Sequence, residues 1–348
     1  MRISSLASAL LIAPLLLALS PRADEISFHP EDGSKLTKQF TITGEIELGD
    51  VTLDVNGQDM TGELPSDVSA GFEVTAQIVD RYVKVEGGKP LELLRQFLQF
   101  SGSYHAMEES GSTGDFDGLG SRKVRFKWNE DTERYDISSD DGEPVPDEAR
   151  IMGVDMDLRS LLPGKSVTQN DSWNVDGKQL ATALVPGIDL GYLPELKTDT
   201  DDEDAEAFEM FKRILSPEFE RLRDECKAVC DYSGQREVDG RTLAVIKLRL
   251  DITGKIDMSE LVRLAMTEGG GLEESDFTIG DASLDMKLGG EGELLWDISA
   301  GTAHAFDFSA KFEFSANLAA SITAEGETVD VEGEAELTGK SHWTMELK

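Results

Sequence analysis

This sequence predicts a mainly β protein. Long antiparallel meanders would form a curved sheet, half-barrel or sandwich, as one body or two similar lobes, with a small α-helical insertion. Three observations carry this. Apolar residues recur at every second position over long stretches, Gly- and Asn-containing dipeptides punctuate those stretches, and helical spacing is confined to a short region. Period-two alternation puts one face of a strand in a core and the other in water. Sequential hairpins give antiparallel meanders rather than βαβ units.

The first element is a leader. Arg2 supplies a short basic region, Leu6 to Leu19 is almost unbroken apolar sequence, and small residues close Ala18-Leu19-Ser20 and Pro21-Arg22-Ala23. That order predicts a secretory signal peptide over residues 1–23, too short to span a hydrocarbon core of about 30 Å. The mature chain is therefore expected in the periplasm or outside the cell, with no transmembrane segment. An N-terminal β-rich lobe is expected over 24–190, an acidic linker and helical insertion over 191–229, and a C-terminal antiparallel meander over 230–348.

In the N-terminal lobe the alternating sets are Phe40/Ile42/Ile46/Leu48, Val51/Leu53/Val55, Phe72/Val74/Ala76/Ile78 and Val124/Phe126/Trp128. Leu91–Phe100 fits both periods and is read as a strand because Gly87-Gly88 precedes it. Asp147–Leu162, closed by Pro163-Gly164, is expected to be helical or irregular. In the C-terminal meander the sets are Ala244 to Ile252, Ala282 to Leu288, Leu294/Trp296/Ile298, Val329 to Leu337 and Trp343/Met345/Leu347. The longest run is Phe306 to Ile322, which at about 3.4 Å per residue spans roughly 55 Å and must bend, with Ala319-Ala320 the candidate place. Asn56-Gly57, Gly87-Gly88, Asp239-Gly240 and Gly289-Gly290 are expected to be tight turns, since such pairs tolerate the positive φ that hairpins need. The insertion is expected to hold two helices: Asp204–Leu215, with Phe208, Phe211 and Leu215 on one face, and a second from Ser216-Pro217 to about Cys226.

Charge excludes some partners. Asp and Glu number 69 against 33 Lys and Arg, a net charge of −36. Such a surface repels nucleic acid and anionic headgroups and suits a salty medium that screens its self-repulsion. Cys226 and Cys230 are the two cysteines. At a helix end, residues four apart have Cα atoms roughly 6 Å apart, so a local disulfide and two buried free thiols are both open readings. Asp199, Asp201, Asp202, Glu203 and Asp204 form the densest acidic cluster, open to calcium or to a helix start favoured by the macrodipole. Otherwise no cofactor is indicated. His29, His105, His304 and His342 show no metal-ligand spacing, and there is no nucleophile elbow or phosphate loop. Phe306, Phe308, Phe312 and Phe314 form an apolar stripe, either ordinary core or a ligand groove, with small residues such as Ala310 and Ala316 leaving room beside them.

Four stretches carry a resemblance: Asp80–Leu91, Lys123–Trp128, Val154–Lys165 and Asn170-Asp171-Ser172-Trp173. Together they resemble exported, β-rich proteins of unknown function from environmental bacteria such as planctomycetes, in which a Leu-Leu-Pro segment precedes a Gly-Asp-Ser-Trp turn. Asn170 stands where that pattern has glycine, and asparagine also tolerates positive φ. The resemblance covers roughly 75–190; it implies class and compartment and carries no catalytic residues across. The expectation is an exported, non-catalytic envelope or extracellular protein that binds a hydrophobic small molecule or an envelope protein on a curved sheet. A cell-surface structural or interaction module is the alternative, and an acidic polysaccharide hydrolase the second.

Overall fold

In a computed structural model, the residues described are 23–63, 68–106, 109–113, 122–140, 145, 152–184, 220–221, 224–269, 276–324 and 327–348. The leader through residue 22, the acidic cluster Asp199–Asp204 and the expected helix Asp204–Leu215 lie outside them.

The alternating sets become one antiparallel sheet of 13 strands. These are β1 (Lys35–Val55), β2 (Gln58–Asp59), β3 (Ser69–Glu86), β4 (Lys89–Ala106), β5 (Glu109–Thr113), β6 (Lys123–Asn129) and β7 (Arg134–Ser139). The chain continues with β8 (Ser172–Asp176), β9 (Lys227–Val238), β10 (Arg241–Asp257), β11 (Phe277–Asp297), β12 (Thr302–Ala324) and β13 (Glu327–Leu347). Two short helices, α1 (Gly177–Leu184) and α2 (Ser259–Leu264), accompany them. The order across the sheet is β7-β6-β4-β3-β1-β13-β12-β11-β10-β9-β8, with β2 on β1 and β5 on β4. The sheet is open, ending at the short strands β7 and β8. At its centre β1 pairs with β13, from Lys38 opposite Leu347 to Val55 opposite Val331.

Three of the four expected turns form as hairpins. Asn56-Gly57 (φ 54 and 78), Gly87-Gly88 (φ 58 and 76) and Asp239-Gly240 (φ 50 and 76) all take positive φ. Gly289-Gly290 does not. It lies inside β11, opposite Lys311 and Ala310, because an antiparallel neighbour continues past it on each side. The glycine there serves close approach: a Cβ on Gly290 would sit 2.6 Å from the Phe308 ring. Leu91–Phe100 is strand, within β4, and 152–162 is irregular apart from a 3₁₀ turn at Arg159–Leu161. Asn170 takes φ 74, the conformation for which glycine is usual.

β12 runs unbroken for 23 residues, and its neighbour absorbs the bend. The register of β11 slips at Gly280, opposite Ala319 and Ala320, as a bulge. β1 slips between Leu48 and Val51 against β13.

One face of this sheet, here the inner face, carries Phe40, Phe306, Phe308 and Trp296. Ile26, Phe28, the stretch Met156 to Val167, and Leu180 and Ala183 of α1 pack on it. They bury Tyr82, Leu93, Phe126, Leu248, Trp296 and Phe308 almost completely. Each such side chain contributes about 1.5–3 kcal/mol by leaving water. Among the described residues this cover lies mainly over one end of the long strands.

Candidate functional site

The inner face is unequally covered along β10–β13 and β1, and that inequality is the candidate site. The cross-strand rows step from Phe40–Met345–Phe306–Leu294, through Ile42–Trp343–Phe308–Gly292, to Ile46–Gly339–Phe312–Leu288 and Leu48–Leu337–Phe314–Met286. Phe306 and Phe308 are buried in the core and stack with ring centroids 6.1 Å apart. Phe312 and Phe314 are only half-buried, their ring centroids 5.5 Å apart, and so are Ile46, Leu48, Leu288 and Leu337 around them. Of the four groove candidates, then, two belong to the core and two line a partly open apolar trough. From Phe312 to Leu318 the trough runs about 20 Å along the strands, and beyond it Ala320, Ala282 and Phe277 are buried again. A second small cluster closes its β10–β11 side, where Met258 and Leu261 pack on Ile256, Leu284 and Met286.

Glycines shape this face. The Phe312 ring lies where a Cβ of Gly339 would be, Phe308 covers Gly290 and Gly292, and Phe72 covers Gly44. Rings therefore lie along the backbone instead of standing up from it, which keeps the trough shallow. Phe72 and Tyr104, directly opposite each other on β3 and β4, extend the apolar surface sideways and are 41% and 51% exposed.

At the covered end sits a buried charged cluster. Lys38 Nζ donates to Asp80 Oδ2 (2.8 Å), Tyr82 Oη (2.7 Å) and Asp157 Oδ1 (2.5 Å), which uses all three of its protons. Tyr82 Oη donates to Asp157 Oδ1 at 2.5 Å. Arg95 clamps Asp80 and also donates to the carbonyls of Gly153 (2.9 Å) and Val154 (3.0 Å). The set holds two acids and two bases, so its formal charge is zero. Burial alone would raise the Asp80 pKa, but Arg95 and Lys38 outweigh it and hold the carboxyl down at about 2. Burial, then the charges of Asp157 and Asp80, push the Tyr82 hydroxyl well above its usual range. The cluster ties 153–157 to β1, β3 and β4, and so holds the covering segment in place. Leu158, the next residue, takes φ 57, a left-handed conformation that costs a non-glycine residue about 1–2 kcal/mol and persists here against the buried ties.

Sequence reading missed this cluster, although a signal existed. Lys38 and Asp80 occupy positions where the alternation of β1 and β3 calls for apolar side chains, in step with Phe40 and Ile78. A charge on the dry face of a strand must find a partner.

The outer face has a depression of about 540 Å³ across β1, β13, β12 and β11. One wall is the row Thr43, His342, Ser309 and Glu291; the other is Glu45, Lys340, Lys311 and Gly289. The floor is the backbone of Gly44, Ser341, Ala310 and Gly290. Ser309 Oγ lies 2.8 Å from His342 Nδ1, and His342 Nε2 lies 3.7 Å from Asp307 Oδ2. The residue types are those of a hydrolytic triad, but the second distance exceeds a hydrogen bond. β12 is also paired on both flanks, so its backbone N–H groups are consumed by the ladder and cannot form an oxyanion hole there. Glu45 and Glu291 sit on β1 and β11, three strand spacings or about 14 Å apart, wider than the roughly 5–9.5 Å of glycosidase pairs.

Cys226 and Cys230 stand as buried free thiols, one of the two readings the sequence left open. The helical residues 224–225 give way to strand at Lys227, and four extended residues separate Cα atoms by about 13 Å, beyond bridging range. Burial raises both thiol pKa values, that of Cys230 to about 12. The calcium candidates Asp199, Asp201, Asp202, Glu203 and Asp204 lie outside the described residues, and no group of three or more potential metal ligands is found within them. Among the described residues no helix is long and apolar enough to cross a membrane.

Fold and site define a class: an open antiparallel β-sheet protein with one half-covered apolar face. No protein-family model matches the chain, and no curated protein does. Among solved structures, the crystal structure of the outer membrane protein OprG from Pseudomonas aeruginosa is similar over 92% of this chain and 99% of that one, at 7% identity and a TM-score of 0.20. A likeness that weak carries no argument about fold or function.

Proposed function

We propose that this is an exported, non-catalytic protein of the cell envelope or extracellular space that binds an acyl-chain-bearing molecule on its inner face. The observation that carries the reading is the change of burial along β12. Phe306 and Phe308 are 4% and 0% exposed, whereas Phe312 and Phe314, on the same face, remain open to solvent. A contiguous apolar surface left open on one face is the kind that marks a ligand or partner site. The trough's length, about 20 Å by the strand rise, is comparable with the roughly 15 Å that acyl chains of one leaflet occupy in a 30 Å bilayer core. The proposed compartment rests on the leader sequence at residues 1–23.

The interaction-module alternative finds less support at the sheet edges. β7 and β8 have six and five residues, with Arg134 and Asp136 on the first and Asp176 on the second, features that discourage strand addition by a partner.

Native mass spectrometry after gentle purification, with a fluorescent fatty acid displacement assay, tests the reading. Uptake should be stoichiometric and should fall about tenfold or more in Phe314→Arg, which places a charge in the trough. A clean ligand-free mass together with no displaceable fluorescence would overturn it.

A further inference from the structure

We propose that the outer-face depression binds a single small tetrahedral oxyanion, a phosphate or sulfate group. It lies on the opposite side of the sheet from the acyl trough and does not depend on that reading.

Lys311 marks the site. It is exposed, makes no ion pair among the described residues, and stands directly opposite Lys340 across the β12–β13 ladder. Like charges facing each other across strands are destabilising. In a chain with 69 acids and 33 bases, an acid should be the usual neighbour of any lysine. Here one lysine is left unneutralised beside another. Lys340 is held by Glu45 at 2.7 Å, and Glu313, next on the outer face of β12, is engaged by Lys287 at 3.4 Å. Glu291, the remaining carboxylate of the walls, is the diagonal neighbour of Lys311 on β11, roughly 7–8 Å away. Around Lys311 the lining supplies the Lys340 ammonium and one free donor from the Ser309–His342 pair, whose 2.8 Å hydrogen bond uses the other.

Gly289 is the second, independent observation. It faces outward beside Lys311, in the same cross-strand row. Its φ is not in the left-handed region, and a Cβ built there meets nothing within 4 Å. Neither backbone nor packing requires glycine at this position, and any side chain would fill the space next to the unpaired ammonium. That empty space is what an occupant needs. The net charge of −36 argues against a polyanion, whose long-range repulsion would exceed what one local pair of lysines offers, and so limits the ligand to a small anion.

The test is a titration of the full mature chain with inorganic phosphate at low ionic strength, followed by backbone amide NMR shifts, with chloride as the control anion. Saturable shifts centred on β11–β13 are expected. Affinity should drop about tenfold in Lys311→Gln and in Gly289→Leu, and persist in Lys311→Arg, because one charge-assisted hydrogen bond is lost or blocked in the first two and kept in the third. Amide spectra of each variant report that it is folded. A parallel titration with glycerol phosphate assigns the source: tighter binding than inorganic phosphate points to an esterified group, equal binding to the free ion. No saturable shift up to about 10 mM, or wild-type affinity in folded Lys311→Gln and Gly289→Leu, overturns the proposal.

Discussion

Arg95 clasps Asp80 with two parallel hydrogen bonds, Nε to Oδ1 at 2.7 Å and Nη2 to Oδ2 at 3.0 Å, and neither side chain reaches solvent. Paired geometry of this kind offsets the cost of removing both ions from water, whereas one partner alone is left uncompensated. Asp80→Ala is therefore expected to destabilise by about 3–5 kcal/mol in a urea unfolding series. A loss below about 1 kcal/mol would mean the cluster does not anchor the covering segment.

Acid should loosen the same contact. Asp80 has its pKa lowered in the fold from an ordinary 3.8 to about 2. A depressed carboxylate stabilises above its unfolded value, and that contribution disappears as pH falls toward the folded one. Stability on the order of 2 kcal/mol is expected to be lost between about pH 4 and pH 2 in the wild type. The slope over that window should shrink in Asp80→Asn, as followed by unfolding midpoints.

Two glycines on the inner face should respond differently to the same substitution. The three atoms nearest a Cβ on Gly44 all belong to the Phe72 ring, which is exposed and can swing away. A Cβ on Gly292 meets the backbone of Asp307 and Phe308, with the Phe308 Cα at 2.8 Å. Gly44→Ala is expected to cost under about 1 kcal/mol and Gly292→Ala about 1–3 kcal/mol or more. Equal costs in thermal melts would mean that ring and backbone yield alike.

Phenylalanines of one strand should split into two classes. Phe308→Ala opens a void in the closed core and is expected to lose about 3–5 kcal/mol. Phe314→Ala removes a half-solvated ring and is expected to lose about 1 kcal/mol, scaled from the area it covers. The denaturation midpoints of the two variants decide it.

Both thiols should resist modification until the chain unfolds. Cys226 and Cys230 are buried, with pKa values raised by burial, so the thiolate that reacts is scarce at neutral pH. A thiol reagent should label neither in the native protein and both in denaturant. No labelling in denaturant without reductant would establish a disulfide instead.

The periodic strands and three glycine-bearing turns were legible because they are local: an alternation or a positive-φ pair acts through its own few residues. Gly289-Gly290 misled because a glycine pair that lets a ring approach and one that turns a chain read alike. Cys226–Cys230 stayed open because its reach turns on where helix gives way to strand, a boundary that spacing alone does not fix. The β1–β13 pairing left no local mark, since registry between remote strands is fixed by which apolar faces meet. The Ser309–His342 contact follows only from the registry of β12 with β13. The Lys38–Asp80 cluster lay in plain view as charges breaking an apolar alternation, a signal that strand patterns reward if exceptions are read as carefully as the rule.

The pairing of β1 with β13 has a consequence for biosynthesis. Every other strand of the sheet lies between these two in sequence, so a chain emerging amino end first holds β1 with one long border unsatisfied until β13 is made. Loops that large close slowly, and naked strand borders recruit their like. The nascent molecule should lean on holding factors during its passage, and variants that delay the final zippering should accumulate as aggregates while their mature fold stays sound.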